Sequence, residues 1–153
     1  MIGEYVGRIR RYCKIEIKEL REDPGDARRG LRERVDREGA RILGAGRKGA
    51  FRVAFDERGQ EMTSESFATF LGRALEGSPA GVELMVGGPY GLSEAVLKGA
   101  SKRCALSRMT LTHEMARLVA IDQVYRAFTI LRGGRYHHRA VRAEERPDGQ
   151  EVA

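Results

Sequence analysis

A glycine-rich loop and three histidines are the features of this sequence best suited to holding a ligand or moving a proton. Val82-Glu83-Leu84-Met85-Val86 runs directly into Gly87-Gly88-Pro89-Tyr90-Gly91. Glycines at such density let a backbone approach a ligand closely or adopt positive φ. The loop lacks the Lys-Ser/Thr pair of a phosphate-binding P-loop, and its glycines do not follow the dinucleotide fingerprint. A plain tight turn remains the alternative reading. His113, His137 and His138 are the only histidines, and none stands at finger spacing from Cys13 or Cys104, so no zinc site is expected. The two cysteines read as free thiols in a reducing compartment rather than as a disulfide.

The elements that must hold these residues alternate between strand and helix. Residues 3–12 read as a helix, and Lys14-Ile15-Glu16-Ile17-Lys18 alternates like a strand with one wet face. Asp23-Pro24-Gly25 is a turn, after which Asp26 can cap a helix to about Leu43 that ends at Gly44. That helix carries Arg28, Arg29, Arg32, Arg34, Arg37 and Arg41 among acids, either as a solvated face with ion pairs or as a phosphate-facing patch. Phe51-Arg52-Val53-Ala54-Phe55 is a strand, and Asp56-Glu57-Arg58-Gly59 reads as the loop after it. Thr63 or Ser64 caps the next helix, to about Glu76. Residues 82–86 form the strand before the glycine loop, Ser93 and Glu94 open a short helix to about Lys102, and a short strand falls near 105–107. A long helix from about Glu114 to Leu131 is apolar over most of its circumference, which favours burial by the core and by another chain. Residues 139–153 are charged and aperiodic and read as a frayed tail.

This alternation implies an α/β fold with a mostly parallel sheet flanked by helices on both faces. Ligands in such sheets bind beyond the carboxyl ends of the strands, where the glycine loop falls. The chain has 153 residues, enough for one domain with a real core. No apolar run spans a bilayer and the first residues do not read as a secretion signal, so a cytoplasmic protein is expected. A net charge of +6 favours a polyanionic partner. Aromatics are 7% with no Trp, which argues against a sheet platform for stacking bases.

In order along the chain stand Val86-Gly87-Gly88-Pro89-Tyr90-Gly91-Leu92-Ser93, Leu106-Ser107-Arg108-Met109-Thr110-Leu111-Thr112-His113, Arg117, Asp122-Gln123-Val124-Tyr125-Arg126-Ala127 and Arg135-Tyr136-His137-His138. This series resembles the RlmH family of the knotted SPOUT superfamily, over about residues 4–139 and most densely from 82 to 138. The resemblance implies S-adenosylmethionine-dependent methylation of N3 of a pseudouridine in large-subunit (23S) ribosomal RNA on the assembled ribosome. It also implies a C-terminal trefoil knot, one of the rare exceptions to unknotted topology, and a homodimer in which the tail of one subunit completes the site of the other. The implied domain is 1–139, with 140–153 a flexible extension.

By matching motifs, S-adenosyl-L-methionine is expected to meet Phe55, Gly87, Leu106, Ser107, Arg108, Met109, Thr110 and Leu111. A side chain at Gly87 is expected to fill the space of the donor. The catalytic set implied is His137 as proton acceptor, Tyr136 stacking on or bonding to the base, and Arg126 holding phosphate or base oxygens. Arg117, Arg135 and His138 are expected on RNA, and no metal is expected. Tyr125 reads as a core or interface aromatic, and His113 as a residue that caps or orients its helix. Three departures from the family pattern are expected: the strand and first part of a helix with which the family begins have no counterpart here, through either a start upstream or a lost strand; Asp122 and Thr112 replace Glu and Pro; and the chain continues about 15 residues past the Tyr-His motif. A catalytically idle ribosome-binding factor and a generic nucleotide-binding domain are the alternative functions.

Overall fold

Three parallel strands form the centre of the molecule. In the computed structural model, which describes residues 1–20 and 30–133, β1 (Phe51–Glu61), β2 (Val82–Val86) and β3 (Lys102–Ala105) lie in the order β2-β1-β3. The helices are α1 (Ile2–Ile9), α2 (Leu31–Ala45), α3 (Ser64–Gly77), α4 (Glu94–Gly99) and α5 (His113–Arg132). Phe51 pairs with Val82 and Phe55 with Val86 on one side of β1, and Phe55 pairs with Cys104 on the other. Arg52 and Glu83, opposite each other in register, form a cross-strand ion pair of 3.4 Å.

Alternation along β1 explains why both sheet faces are covered. Val53 and Phe55 point into a core with Ile9, Phe67, Leu71, Ile121, Val124 and Phe128, supplied by α1, α3 and α5. Ala54 points the other way, to Met85, Val96 and Leu97, with Ile42 and Leu43 of α2 packed on them. The expected α/β layering with a parallel sheet therefore holds among the described residues.

Several boundaries differ from the sequence reading. Lys14–Lys18 is not a strand: Ile15 packs against the core, but Ile17 is 42% exposed and no described strand lies beside the segment to pair with its backbone. Alternation makes a strand only when a neighbour supplies the ladder. Asp56-Glu57-Arg58-Gly59 is no simple loop but part of β1, bulged where the pairing with β3 jumps from Phe55 to Gln60. Gly59 permits this, since a Cβ there would stand 2.7 Å from the backbone of Arg103 and Cys104. β3 ends at Ala105, earlier than the strand expected at 105–107. α1 stops at Ile9 and α4 at Gly99, while α2 runs past Gly44 to Ala45, with Gly46 at its end. The turn at Asp23 to Gly25, the cap at Asp26 and the boundary at residue 139 lie outside the described residues.

The apolar circumference of α5 is largely satisfied within the chain. Ala120, Ile121, Val124, Ala127, Phe128 and Ile130 are buried, with α1 and α3 packed along the helix, and Met115 is its one large apolar side chain left substantially exposed. Tyr125 has the structural role expected of it. It lies edge-on to Tyr5 at 6.0 Å, with the Arg8 guanidinium 5.6 Å above its ring. Cys13 and Cys104 are free thiols, both pushed up in pKa by burial.

Candidate functional site

The pairing register sets three segments side by side at one end of the sheet. Phe55 lies between Val86 and Cys104, so the loops that leave β2 and β3 start next to the end of the regular part of β1. The first of these is the glycine loop. Gly91 N–H donates to Gly88 O at 3.0 Å, and Gly91 takes φ +84°, which favours glycine. A Cβ on Gly87 would stand 2.6 Å from the carbonyl carbon of Gly91 and 2.9 Å from Leu92 N. The need for glycine at 87 thus comes from the loop folding on itself, a different cause from the crowding of a ligand expected from the sequence. Ser93 then closes the loop by accepting from Val96 N–H at 3.3 Å, capping α4.

The second loop, residues 106–111, is held by side chains of β1. Leu106 and Leu111 are half-buried, and Ser107 Oγ accepts from Met109 N–H at 2.9 Å. Arg108 Nε donates to both carboxylate oxygens of Glu61, at 2.8 and 2.9 Å, and Thr110 Oγ1 donates to Glu57 Oε2 at 3.2 Å. Met109 remains 77% exposed. Glu57 and Glu61 were not among the expected site residues, because they act only through contacts made across some fifty positions of chain.

Asp56, immediately after Phe55, is another residue not anticipated. Its Oδ2 is buried and accepts no hydrogen bond, and Arg58 Nε at 3.6 Å supplies charge without a bond. An acceptor left unsatisfied just past the regular part of a central strand is suited to a ligand hydroxyl or amine. The sequence signal available was an acid directly after an apolar strand, in the position where α/β sheets bind ligands.

The remaining expected residues are spread out. Thr112, rather than His113, caps α5 by accepting from Met115 N–H at 3.3 Å. Arg117, near the start of α5, pairs with Glu19. Arg126 is exposed nine residues later, about 180° around the helix, so the two arginines face opposite sides. Arg126 stands instead near Tyr5, whose phenol is raised in pKa, first by a hydrogen bond to Asp122 and opposed by the charges of Arg8 and Arg126. Arg135, Tyr136, His137 and His138 lie outside the described residues. No group of three or more metal-ligating side chains occurs among the described residues.

Residues 1–137 match the family described as a predicted SPOUT methyltransferase. The chain belongs to the SPOUT methyltransferase family. Similar members are named ribosomal RNA large subunit methyltransferase H. The one from Geotalea daltonii is 43% identical over 90% of this chain and 88% of its own length. Those from Trichlorobacter lovleyi and Parabacteroides distasonis are 44% and 40% identical over the same share of this chain and 88% and 87% of their own. The resemblance drawn from the motifs thus holds, and with it the reading of this SPOUT protein as a methyltransferase. No helix among the described residues is long and apolar enough to cross a membrane.

Proposed function

We propose that this SPOUT methyltransferase transfers the methyl group of S-adenosylmethionine to N3 of a pseudouridine in large-subunit ribosomal RNA, acting in the cytoplasm on the assembled ribosome. The observation that carries this reading is the similarity, over 90% of the chain, to proteins named ribosomal RNA large subunit methyltransferase H. The described residues fit the donor. Phe55, Gly87 and residues 106–111 surround one end of the sheet, and the orphan Oδ2 of Asp56 offers an acceptor to a ribose hydroxyl or the adenine amine. Backbone groups of a loop such as 106–111 read an adenine edge without charged side chains. The C-terminal half is threaded as a trefoil knot in this reading, and a homodimer lets each tail complete the other subunit's site. Since α5 already buries most of its apolar surface within the chain, the dimer rests on the resemblance rather than on unsatisfied packing.

The donor supplies an electrophilic methyl group on its sulfonium. The protein has to hold the acceptor nitrogen in line with it and take the N3 proton. His137 takes that proton, Tyr136 stacks on the base, and Arg126 holds phosphate or base oxygens. Arg117, Arg135 and His138 bind the RNA backbone, and Arg117 exchanges Glu19 for phosphate as it does so. The test is transfer of labelled methyl from S-adenosylmethionine to ribosomes lacking the modification, with mapping of the methylated nucleotide. Ribosomes should accept far more label than naked RNA, with transfer falling steeply as salt rises. Equal labelling of a short isolated hairpin would contradict the ribosome-level substrate, and binding of donor without any transfer would favour the idle-factor alternative.

A further inference from the structure

The middle of α2 is pressed against the glycine loop. Gly39 is buried, and a Cβ there would stand 2.0 Å from Ser93 Oγ, so α2 sits directly on the cap of α4. The same contact carries the neighbouring Glu38 to the loop, where its Oε2 would be 3.0 Å from a Cβ on Gly88. One turn earlier on that face of α2, Arg34 Nε is buried and donates no hydrogen bond. Arginine and glutamate four apart on a helix ordinarily pair, as Glu33 and Arg37 do at 3.7 Å. Arg34 and Glu38 pair neither with each other nor with any other described residue.

A guanidinium and a carboxylate, both partly buried and both without a counter-charge among the described residues, match the two charges of an α-amino acid. Arginine suits the carboxylate and glutamate the ammonium. S-adenosylmethionine carries such a head group on its methionine end. Its sulfonium has to face the methyl acceptor, which leaves the ammonium as the cation available to a carboxylate. We propose that Arg34 and Glu38 clamp the amino-acid head group of the methyl donor at the glycine loop, with Gly88 kept free of a side chain to admit it. This assignment rests on the donor reading above and adds to it a pair of residues on a helix outside the motif series that runs from Val86 to His138.

Calorimetric titration with two probes separates the possibilities. S-adenosylhomocysteine has the head group, whereas 5′-methylthioadenosine keeps the adenosine and thioether but lacks it. The wild-type protein should bind the first more than tenfold more tightly. Glu38→Gln and Arg34→Met should each weaken S-adenosylhomocysteine by about ten- to a hundredfold, as expected for a lost charge-assisted hydrogen bond. Both variants should bind 5′-methylthioadenosine within about twofold of wild type, which also shows that they are folded; Arg34→Lys, retaining charge but not the fork, should fall between. Wild-type affinity for S-adenosylhomocysteine in Glu38→Gln, or equal weakening of both probes, would overturn the clamp while leaving the donor site standing. A wild-type protein that binds neither probe would overturn the donor reading and the clamp with it.

Discussion

Gly87→Ala tests the construction of the glycine loop most directly. The new Cβ would lie 2.6 Å from the carbonyl carbon of Gly91, about 0.8 Å inside ordinary van der Waals contact, and 2.9 Å from both Gly91 O and Leu92 N. All three are backbone atoms, so no side chain can swing aside. The loop has little freedom to yield, because Gly91 is held by its hydrogen bond to Gly88 and Leu92 leads into the capped start of α4. Forcing an extra carbon into such a contact costs about 1–3 kcal/mol. For a chain of this size that corresponds to a melting point lower by roughly 2–12 °C. Gly88→Ala is the internal control. Its Cβ would meet only the flexible end of Glu38, at 3.0 Å, and should shift the melting point by no more than about 2 °C. Thermal melts of both variants read the contrast in stability; S-adenosylhomocysteine titrations should show weakened binding in both, in Gly88→Ala because the new side chain stands beside Glu38 where the head group enters. Gly87→Ala should lose both stability and more than about tenfold in affinity. Unchanged melting with lost affinity would show instead that the side chain blocks the ligand, and unchanged values of both would refute the loop argument entirely.

Phe128→Ala removes a buried ring stacked on Tyr12 at 5.7 Å and should cost about 3–5 kcal/mol in a urea titration, since the space cannot fully collapse. Glu61→Gln should leave the melting point within about 3 °C, because both ends of the Arg108–Glu61 pair are largely exposed; a larger loss would mean that the pair holds the 106–111 loop for stability as well as position. Cys104, buried and raised in pKa, should resist a thiol reagent at pH 8 until the protein unfolds, whereas the half-buried Cys13 should react sooner. Tyr5 should titrate above its ordinary 10.0, since its hydrogen bond to Asp122 favours the protonated phenol. The stabilisation is therefore complete below pH 10.0 and is lost as pH rises through the raised value, a dependence that Tyr5→Phe should abolish in alkaline melts.

The strands and helices most legible in the sequence were those whose period and punctuation agreed. Thr63 caps α3 as its position suggested, accepting from Ser66 N–H at 3.0 Å, and the apolar run at Val82–Val86 stops where the glycines begin. Failures came where a distant partner decides the outcome. Asp56 to Gly59 looks like a polar turn, yet β3 draws it into β1, and Lys14 to Lys18 has the pattern of a strand but no neighbouring strand among the described residues. The site divides the same way. Its glycine loop can be seen locally, whereas Glu57, Glu61, Arg34 and Glu38 gain their meaning only from where the fold brings them, and no periodicity announces that.

The central place of β1 also bears on how the chain assembles as it is made. Phe51 finds its first strand partner 31 residues later, at Val82, and Val53 its second 49 residues later, at Lys102. Neither pairing can form as a hairpin, so both require large loops to close before any ladder hydrogen bond repays them. During synthesis β1 emerges first of the strands, with unpaired backbone groups along both edges and apolar side chains on both faces. Of the elements made after it, α3 is the first able to cover it, and Phe67 reaches Phe55, their rings 6.3 Å apart. A chain built this way is most exposed to aggregation between the emergence of α3 and that of β3. Substitutions that weaken the Thr63 cap should therefore reduce the yield of folded protein more than they reduce the stability of what has folded.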